Sequence, residues 1–173
     1  MIVKSYLIED NIKDLSKNKT LFYGENNGLK QDIKTKIVSN NQTAEKINFT
    51  QEEILKNKEI FNNEVFNNSL FSKDKIIFIN NCTDKILTII EGINHEIDNI
   101  KIFLFSEILE KRSTLRNYFE KSKNAITVPC YNDNDITLKK IILTKLKGYQ
   151  GLNAENINLI INICNKERDK LNN

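Results

Sequence analysis

The sequence alternates short apolar segments with segments of helical periodicity, and this alternation limits the fold more than any other feature. Two apolar runs, Ile76 to Ile79 and Ile102 to Phe105, are unbroken, which is typical of strands that are buried on both faces. Strands that alternate with helices predict an α/β fold, in which a parallel sheet is flanked by helices. The predicted strands are Leu21–Tyr23, Lys46–Phe49, Lys75–Ile79, Ile100–Phe105 and Ala125–Val128.

The segments between these strands repeat apolar residues at helical spacing. The best-marked helix start is Thr50, because its hydroxyl can accept from the N–H of Glu53 while the Glu53 carboxylate reaches back to the N–H of Thr50. We expect this helix to run from Gln51 to Asn67, with a break near Asn57 as an alternative. An extra strand over Val3–Ile8 could pair at an edge of the sheet. The expected buried faces are Leu29, Ile33 and Ile37; Ile54, Ile60 and Val65; Ile86, Ile89, Ile90 and Ile93; and Leu115, Tyr118 and Phe119.

The character of the sequence changes after Pro129. A helix is predicted within Asp133–Lys147 and a second one from Asn153 to Leu171, separated by a turn between two glycines. We therefore predict two units, an α/β domain over residues 1–134 and a helical unit over residues 135–173 that is expected to be incomplete. The predicted apolar faces of the two helices are Ile136, Ile141 and Leu146, then Ile157, Ile160, Ile161 and Cys164.

Composition excludes several classes of function. Lys and Arg total 26 against 23 Asp and Glu, and a net charge of +3 is too small to indicate a nucleic-acid surface by itself. The single histidine, His95, argues against a histidine-based triad and against multi-histidine metal sites. Without an apolar run of membrane-spanning length or a signal peptide, the chain is expected to be cytoplasmic, with no membrane partner. Three widely spaced cysteines are expected to be buried thiols: Cys82, Cys130 and Cys164.

The segment after the first strand resembles a phosphate-binding loop, but its spacing is wrong. In the pattern G-x-x-x-x-G-K-[ST], backbone N–H groups and the lysine meet the phosphates and the hydroxyl holds Mg²⁺. Here three residues separate Gly24 from Gly28, a leucine precedes Lys30, and a glutamine follows it. A shift of one residue turns a helical side chain by about 100°, so Lys30 is expected to point away from the loop. Glu25 adds negative charge where phosphate would bind. The loop is therefore predicted to be degenerate, with no bound cofactor.

A nucleotide site also needs an acidic residue at the end of an apolar strand, to hold the metal. The strand that begins at Lys75 is followed instead by Asn80 and Asn81, whose neutral amides cannot replace a carboxylate. Glu107 follows another strand, but a single acid in that position is more often a solvated loop residue or a helix cap. The sequence thus predicts the layout of a nucleotide-binding domain without its chemistry, and no metal site.

The order of several motifs makes the chain similar to a known family. The loop YGE, a helix that ends in SLFS, the apolar strand directly after it and the segment FLFSEILEKRSTLRNYFEK resemble the delta subunit of the bacterial DNA polymerase III clamp loader. The resemblance extends from Tyr23 to the C-terminal region. It implies an AAA+-like (P-loop NTPase-like) fold that has lost ATP hydrolysis, followed by the start of a lid domain, with the collar domain of the family absent.

In that family the delta subunit opens the ring-shaped sliding clamp, and a Leu-Phe pair enters a hydrophobic pocket of the clamp. The resemblance implies that Ser69, Leu70 and Phe71 bind the clamp, and that the full-length protein joins other clamp-loader subunits in the DNA polymerase III holoenzyme. Judged from the residues alone, Leu70 and Phe71 could instead fold back into the core. A role in DNA contact, indirect or weak, is open for Lys111, Arg112 and Arg116, with a solvated helix face as the alternative.

Two other functions stay open from the sequence. Gly24, Gly28 and Lys30 would suit a P-loop-like NTPase with an atypical loop, which titration with Mg-ATP would reveal. The looseness of each individual motif also allows a generic protein-interaction module unrelated to replication.

Overall fold

The computed structural model describes residues 1–66, 74–93 and 99–172. Within these ranges the strands are β1 Lys19–Tyr23, β2 Glu45–Thr50, β3 Lys75–Asn80, β4 Ile100–Phe105 and β5 Ala125–Pro129. They form one sheet in the order β2-β3-β4-β1-β5, and every neighbouring pair is parallel. The five predicted strands and the predicted parallel α/β fold are confirmed.

The helices lie on both sides of this sheet and beyond its last strand. Two short 3-10 helices, Ile12–Asp14 and Asp84–Ile86, precede β1 and follow β3. Because parallel strands need a crossover connection, each pair of consecutive strands is joined by a segment that contains a helix. The α-helices in the described ranges are α1 Ser5–Asp10, α2 Asn27–Asn40, α3 Gln51–Lys56, α4 Lys58–Phe66, α5 Leu87–Gly92, α6 Thr114–Lys121, α7 Asp135–Lys145, α8 Ala154–Ile163 and α9 Arg168–Asn172.

Each face of the sheet contributes to a separate apolar cluster, because successive strand side chains point to opposite faces. One cluster joins alternate strand residues to α3, α4, α5 and α6. The other joins the remaining strand residues to α1 and α2, where the predicted face of Leu29, Ile33 and Ile37 is buried. The unbroken apolar runs of β3 and β4 therefore have the cause that the sequence indicated, burial on both faces.

The helix that begins at Thr50 has the predicted capping box. The Thr50 hydroxyl accepts from the N–H of Glu53 at 3.3 Å, and a Glu53 carboxylate oxygen accepts from the N–H of Thr50 at 2.7 Å. The helix breaks at Asn57, as the alternative prediction allowed, and a second helix starts at the next residue. This break moves the buried face by one position, so that Phe61 is buried whereas the predicted Ile60 is exposed.

We expect Thr50→Ala to lower the free energy of unfolding by about 1 kcal/mol, because it removes one side of the capping box. Urea denaturation measures this loss. The matched control is Thr35→Ala in the exposed middle of α2, where the hydroxyl donates to the Gln31 carbonyl four residues back. That change should be neutral or slightly stabilising, since alanine is the better helix former. Equal losses in the two variants would contradict a specific role for the cap.

The C-terminal helices pack around their own small apolar cluster, formed by Leu138, Ile142, Ile157 and Ile161. The predicted face of α7 was wrong at Ile136, which is exposed. The predicted single helix from Asn153 to Leu171 was also wrong, because α8 ends at Ile163 and α9 begins at Arg168. Two successive residues between them, Asn165 and Lys166, have positive φ angles of 51° and 59°, which no α-helix accommodates. The division at residue 134 stays a prediction.

The extra strand expected over Val3–Ile8 is wrong. Only Ile2 forms a bridge to the edge of β5, at Thr127, and Ser5–Asp10 is helical. The helix lets Ile8 reach the apolar cluster beside α2, whereas Tyr6 stays exposed. No helix in the described parts of the chain has the length and apolarity needed to span a bilayer.

Candidate functional site

The loop between β1 and α2 is a tight connection that packs against the carboxyl ends of two neighbouring strands. Gly24 has φ +131° and donates its N–H to the Glu107 carbonyl at 3.1 Å. A Cβ at Gly24 would lie 2.3 Å from the Cys130 carbonyl oxygen, so the position requires glycine on two grounds. Asn26 caps α2, its side chain accepting from the N–H of Leu29 at 2.9 Å.

Lys30 turns back into the loop, and the expectation that it points away was wrong. Its ammonium donates to the carbonyl oxygens of Gly24 and Ser106, each at 2.8 Å, and the residue is only 7% exposed. Helical side chains tilt toward the N-terminus of their helix, and a lysine is long enough to cross the first turn. Burial lowers the pKa of Lys30. The cation that could have met a phosphate is therefore bound by the chain's own main chain.

We expect Lys30→Met to lower the free energy of unfolding by about 1–3 kcal/mol, because two carbonyl groups in a buried loop lose their donor. Thermal or urea unfolding measures the change. Lys36→Met is the matched control on the same helix, since Lys36 is exposed and its ammonium donates to the Glu9 carbonyl. Its effect should stay within about 0.5 kcal/mol. A neutral Lys30→Met would show that the ammonium does not hold the loop together.

The first turn of α2 is covered by α9. A Cβ at Gly28 would lie 2.4 Å from the Asp169 amide nitrogen and 2.6 Å from the Arg168 carbonyl carbon. The two backbones thus meet at Gly28, on the turn where a phosphate loop would bind its ligand. Gly24, Gly28 and Lys30 do lie together, as their order in the sequence suggested, but each is engaged by another part of the chain.

The strand ends beside the loop offer no acid in the position that a metal requires. β3 ends at Asn80, whose side-chain amide donates to the Phe49 carbonyl at 3.2 Å. Glu107 is exposed, and its described contact with the loop is through its main-chain oxygen. These strand ends, with Lys30 and Lys34, border a cavity of about 270 Å³. Among the described residues, no group of three or more His, Cys, Asp or Glu side chains is placed to hold a metal ion.

The predicted clamp-binding residues, Ser69, Leu70 and Phe71, lie outside the described residues. The elements on either side of them are joined by a buried lysine. Lys75 at the start of β3 donates to the Glu64 carbonyl at 2.8 Å and to its carboxylate at 3.1 Å. Since Glu64 lies in the last turns of α4, this contact fastens that helix to β3.

The basic residues proposed to face DNA have different environments. Lys111 and Arg112 are exposed, and Arg112 pairs with Glu110 at 2.7 Å. Arg116 is half-buried: its Nε donates to Glu120 at 2.8 Å and its guanidinium lies 4.8 Å from the centre of the Tyr23 ring. Arg116 is therefore engaged in the fold at the carboxyl end of β1, whereas the two residues before the cap of α6 present their charge to solvent.

Two cysteines have the expected character. Cys82 and Cys130 are buried free thiols, and burial raises the pKa of each to about 12. Cys164 is partly exposed. The buried pair are therefore protonated near neutral pH and are not activated nucleophiles.

Arg168 is the residue of this region that the sequence did not single out. Its side chain is 5% exposed and pairs with Glu9, with Asp32 at 2.8 Å and with Asp133 at 3.4 Å. In the sequence it stands within the polar stretch NKERDK, where a buried arginine looks like any solvated charge. Only its partners identify it.

Comparison with known proteins identifies the fold. No family model matches the sequence, and no curated protein sequence does. Among solved structures, the Bacillus subtilis DNA clamp loader delta protein (YqeN) is similar with a TM-score of 0.63 and 12% identity, over 96% of this chain and 54% of that chain. The chain has an AAA+-like fold. It spans about half the length of this delta protein.

Two further structures share the AAA+-like fold. Domain III of the Thermotoga maritima replication initiation protein DnaA has a TM-score of 0.52 and 14% identity, over 95% of this chain and 75% of that chain. The Drosophila ORC, in a structure bound to DNA, has a TM-score of 0.51 and 11% identity, over 96% of this chain and 56% of that chain. At these identities the likeness establishes the fold alone.

Proposed function

We propose that this chain is a non-catalytic subunit of a replicative clamp loader, which binds the sliding clamp and opens it. Its AAA+-like fold is similar to that of a clamp loader delta protein. The proposal rests mainly on one observation: in the loop between β1 and α2, the groups that could bind phosphate are bound by other parts of the same chain. Lys30 is bound by main-chain carbonyls, and Gly28 lies against α9. A domain whose loop is occupied by its own residues would not bind ATP itself. It would open the clamp while partner subunits of the assembly bind ATP.

The clamp-binding site in this proposal is Ser69, Leu70 and Phe71. Burying each large apolar side chain in a pocket of the clamp would contribute roughly 1.5–3 kcal/mol, which is enough for the pair to be an interface hot spot. The Lys75–Glu64 contact supports this role, because it fixes the two elements between which the segment lies. Ring opening follows if the pair binds the open conformation of the clamp more tightly than the closed one.

The rest of the chain has a place in the same scheme. Residues 1–134 form the clamp-binding domain, and residues 135–173 belong to the lid. Other clamp-loader subunits are the further partners, in the cytoplasm. Lys111 and Arg112, which are exposed, are the residues proposed for weak contact with DNA phosphates, whereas Arg116 is engaged with Glu120 and Tyr23.

Clamp opening is tested with a cognate clamp that carries a donor and an acceptor dye across one subunit interface. Adding the chain should lower the energy transfer in a saturable way, because the open ring separates the dyes. Unchanged energy transfer at concentrations that saturate binding would show that the chain binds the clamp without opening it.

We expect isothermal titration with Mg-ATP to show no micromolar binding, because the groups that would hold phosphate are occupied. The runner-up function, a P-loop-like NTPase with an atypical loop, requires the opposite result. A polymerase-associated ATPase from the same cell type that binds Mg-ATP under identical conditions serves as the positive control. Micromolar binding of Mg-ATP by this chain would favour the NTPase hypothesis over a non-catalytic clamp-loader subunit.

A further inference from the structure

The short helix α9 connects the helical unit to the α/β domain. On one side Leu171 packs against the apolar cluster of α7 and α8. On the other side Arg168 and Asn172 reach α2, where Asp32 accepts from the Arg168 Nε at 2.8 Å and from the Asn172 amide at 2.9 Å. The helix therefore bridges the two parts of the chain through both apolar and ionic contacts.

Arg168 is the centre of an ion cluster that draws on three distant parts of the chain. Its guanidinium contacts Glu9 of α1, Asp32 of α2 and Asp133, which precedes α7. Asp133 also accepts from the Asn26 amide at 2.8 Å, so the cluster extends to the cap of α2. Burial alone would lower the pKa of Arg168, but the hydrogen bond and charge of Glu9, together with the two aspartates, raise it. Three carboxylates around one planar guanidinium suit arginine in a way that lysine cannot match.

The contact at Gly28 shows how closely α9 approaches. Backbone atoms of Arg168 and Asp169 lie where a side chain at position 28 would begin, at 2.4 to 2.6 Å from an added Cβ. Because Gly28 is helical, its replacement by alanine would favour α2 itself. Any loss of stability in Gly28→Ala must therefore come from the displacement of α9.

We infer that α9 is an internal lock, in which Arg168 holds the helical unit against the first turn of α2 and closes the phosphate loop with the chain's own residues. The lock keeps α7 facing α1 and α2, and Arg168 forms part of the wall of the cleft of about 650 Å³ that lies between these helices. It sets the orientation of the helical unit without nucleotide. This inference does not depend on clamp binding.

Hydrogen exchange with mass spectrometry on the whole chain tests whether the charge of Arg168 holds α9 in place. In Arg168→Met, amides of α9 and of the first turn of α2 should exchange about 10-fold faster or more, with β3 and β4 unchanged, because the opening is local. Arg168→Lys should give a smaller increase in the same segments. The matched control is Lys166→Met, two residues before Arg168, which removes an exposed ion pair with Asp135. Its amides should exchange like those of the wild type.

The same measurement tests whether the close backbone contact at Gly28 holds α9 in place. Gly28→Ala should accelerate exchange in α9 without any change of charge, because the new methyl group pushes the helix away. Gly92→Ala is the matched control, since among the described residues no atom outside its chain neighbours and its own helix backbone lies within 4 Å of its added Cβ. If Arg168→Met fails to fold, Arg168→Lys and Gly28→Ala decide the matter. Wild-type exchange in α9 of both would overturn the inference, and so would an equal acceleration of α9, β3 and β4.

Discussion

Replacing Leu70 and Phe71 together by alanine is expected to raise the Kd for the cognate sliding clamp by about 100-fold or more. Burial of the two side chains contributes roughly 3–6 kcal/mol in total, and 1.4 kcal/mol corresponds to a factor of ten in Kd. The loss should appear mainly as faster dissociation, as is usual for contacts at the centre of an interface. Surface plasmon resonance with immobilised clamp measures both the affinity and the rates.

The matched control for this experiment is the double variant Leu159→Ala/Ile163→Ala. These two apolar residues of α8 are 56% and 69% exposed and lie one helical turn apart, so the control also replaces two large apolar side chains by alanine. It should bind the clamp like the wild type. If the Leu70/Phe71 variant also binds like the wild type, the assigned site is wrong. If the two double variants weaken binding equally, the attraction is unspecific.

Gly24→Ala is expected to lower the free energy of unfolding by about 2–4 kcal/mol, the largest stability change that we predict. Two effects add. A non-glycine residue at φ +131° is strained by about 1–3 kcal/mol, and its Cβ would overlap the Cys130 carbonyl oxygen at 2.3 Å. That oxygen belongs to the backbone just beyond β5, so relief requires a shift of the strand end. Urea denaturation followed by circular dichroism gives the value.

Gly92→Ala is the control, because its added Cβ contacts no other part of the described chain within 4 Å and the residue is the last of α5. We expect that variant to be neutral or slightly more stable than the wild type. A Gly24→Ala chain within about 0.5 kcal/mol of the wild type would mean that the loop can rearrange at little cost. The tight packing of the loop would then be a weak argument for its closed state.

The strands were predictable because both of their faces are buried. β3 and β4 therefore appear in the sequence as unbroken apolar runs, which are typical of parallel strands covered by helices on both faces. The same reasoning gave a wrong prediction for the N-terminal segment, where a strand was expected and a helix is found. Tyr6, Leu7 and Ile8 look like part of a strand, but a helix buries Ile8 while two of the three stay exposed. Short apolar segments do not distinguish the two periods.

The candidate site was predictable in its membership and less so in its geometry. The sequence placed Gly24, Gly28 and Lys30 around one loop, but the direction of Lys30 depends on the tilt and length of its side chain. Arg168 could not be found, because its carboxylate partners lie 159, 136 and 35 residues away in the chain. No local pattern encodes such contacts; they follow from the way α9 returns to α2.

Binding of the unmodified chain to immobilised cognate clamp should be measured with and without Mg-ATP. We expect saturable binding with the same Kd in both conditions, because the loop that would respond to nucleotide is occupied by Lys30 and α9. Absence of binding in both conditions would contradict the proposed function. Binding that appears only with Mg-ATP would contradict the closed loop.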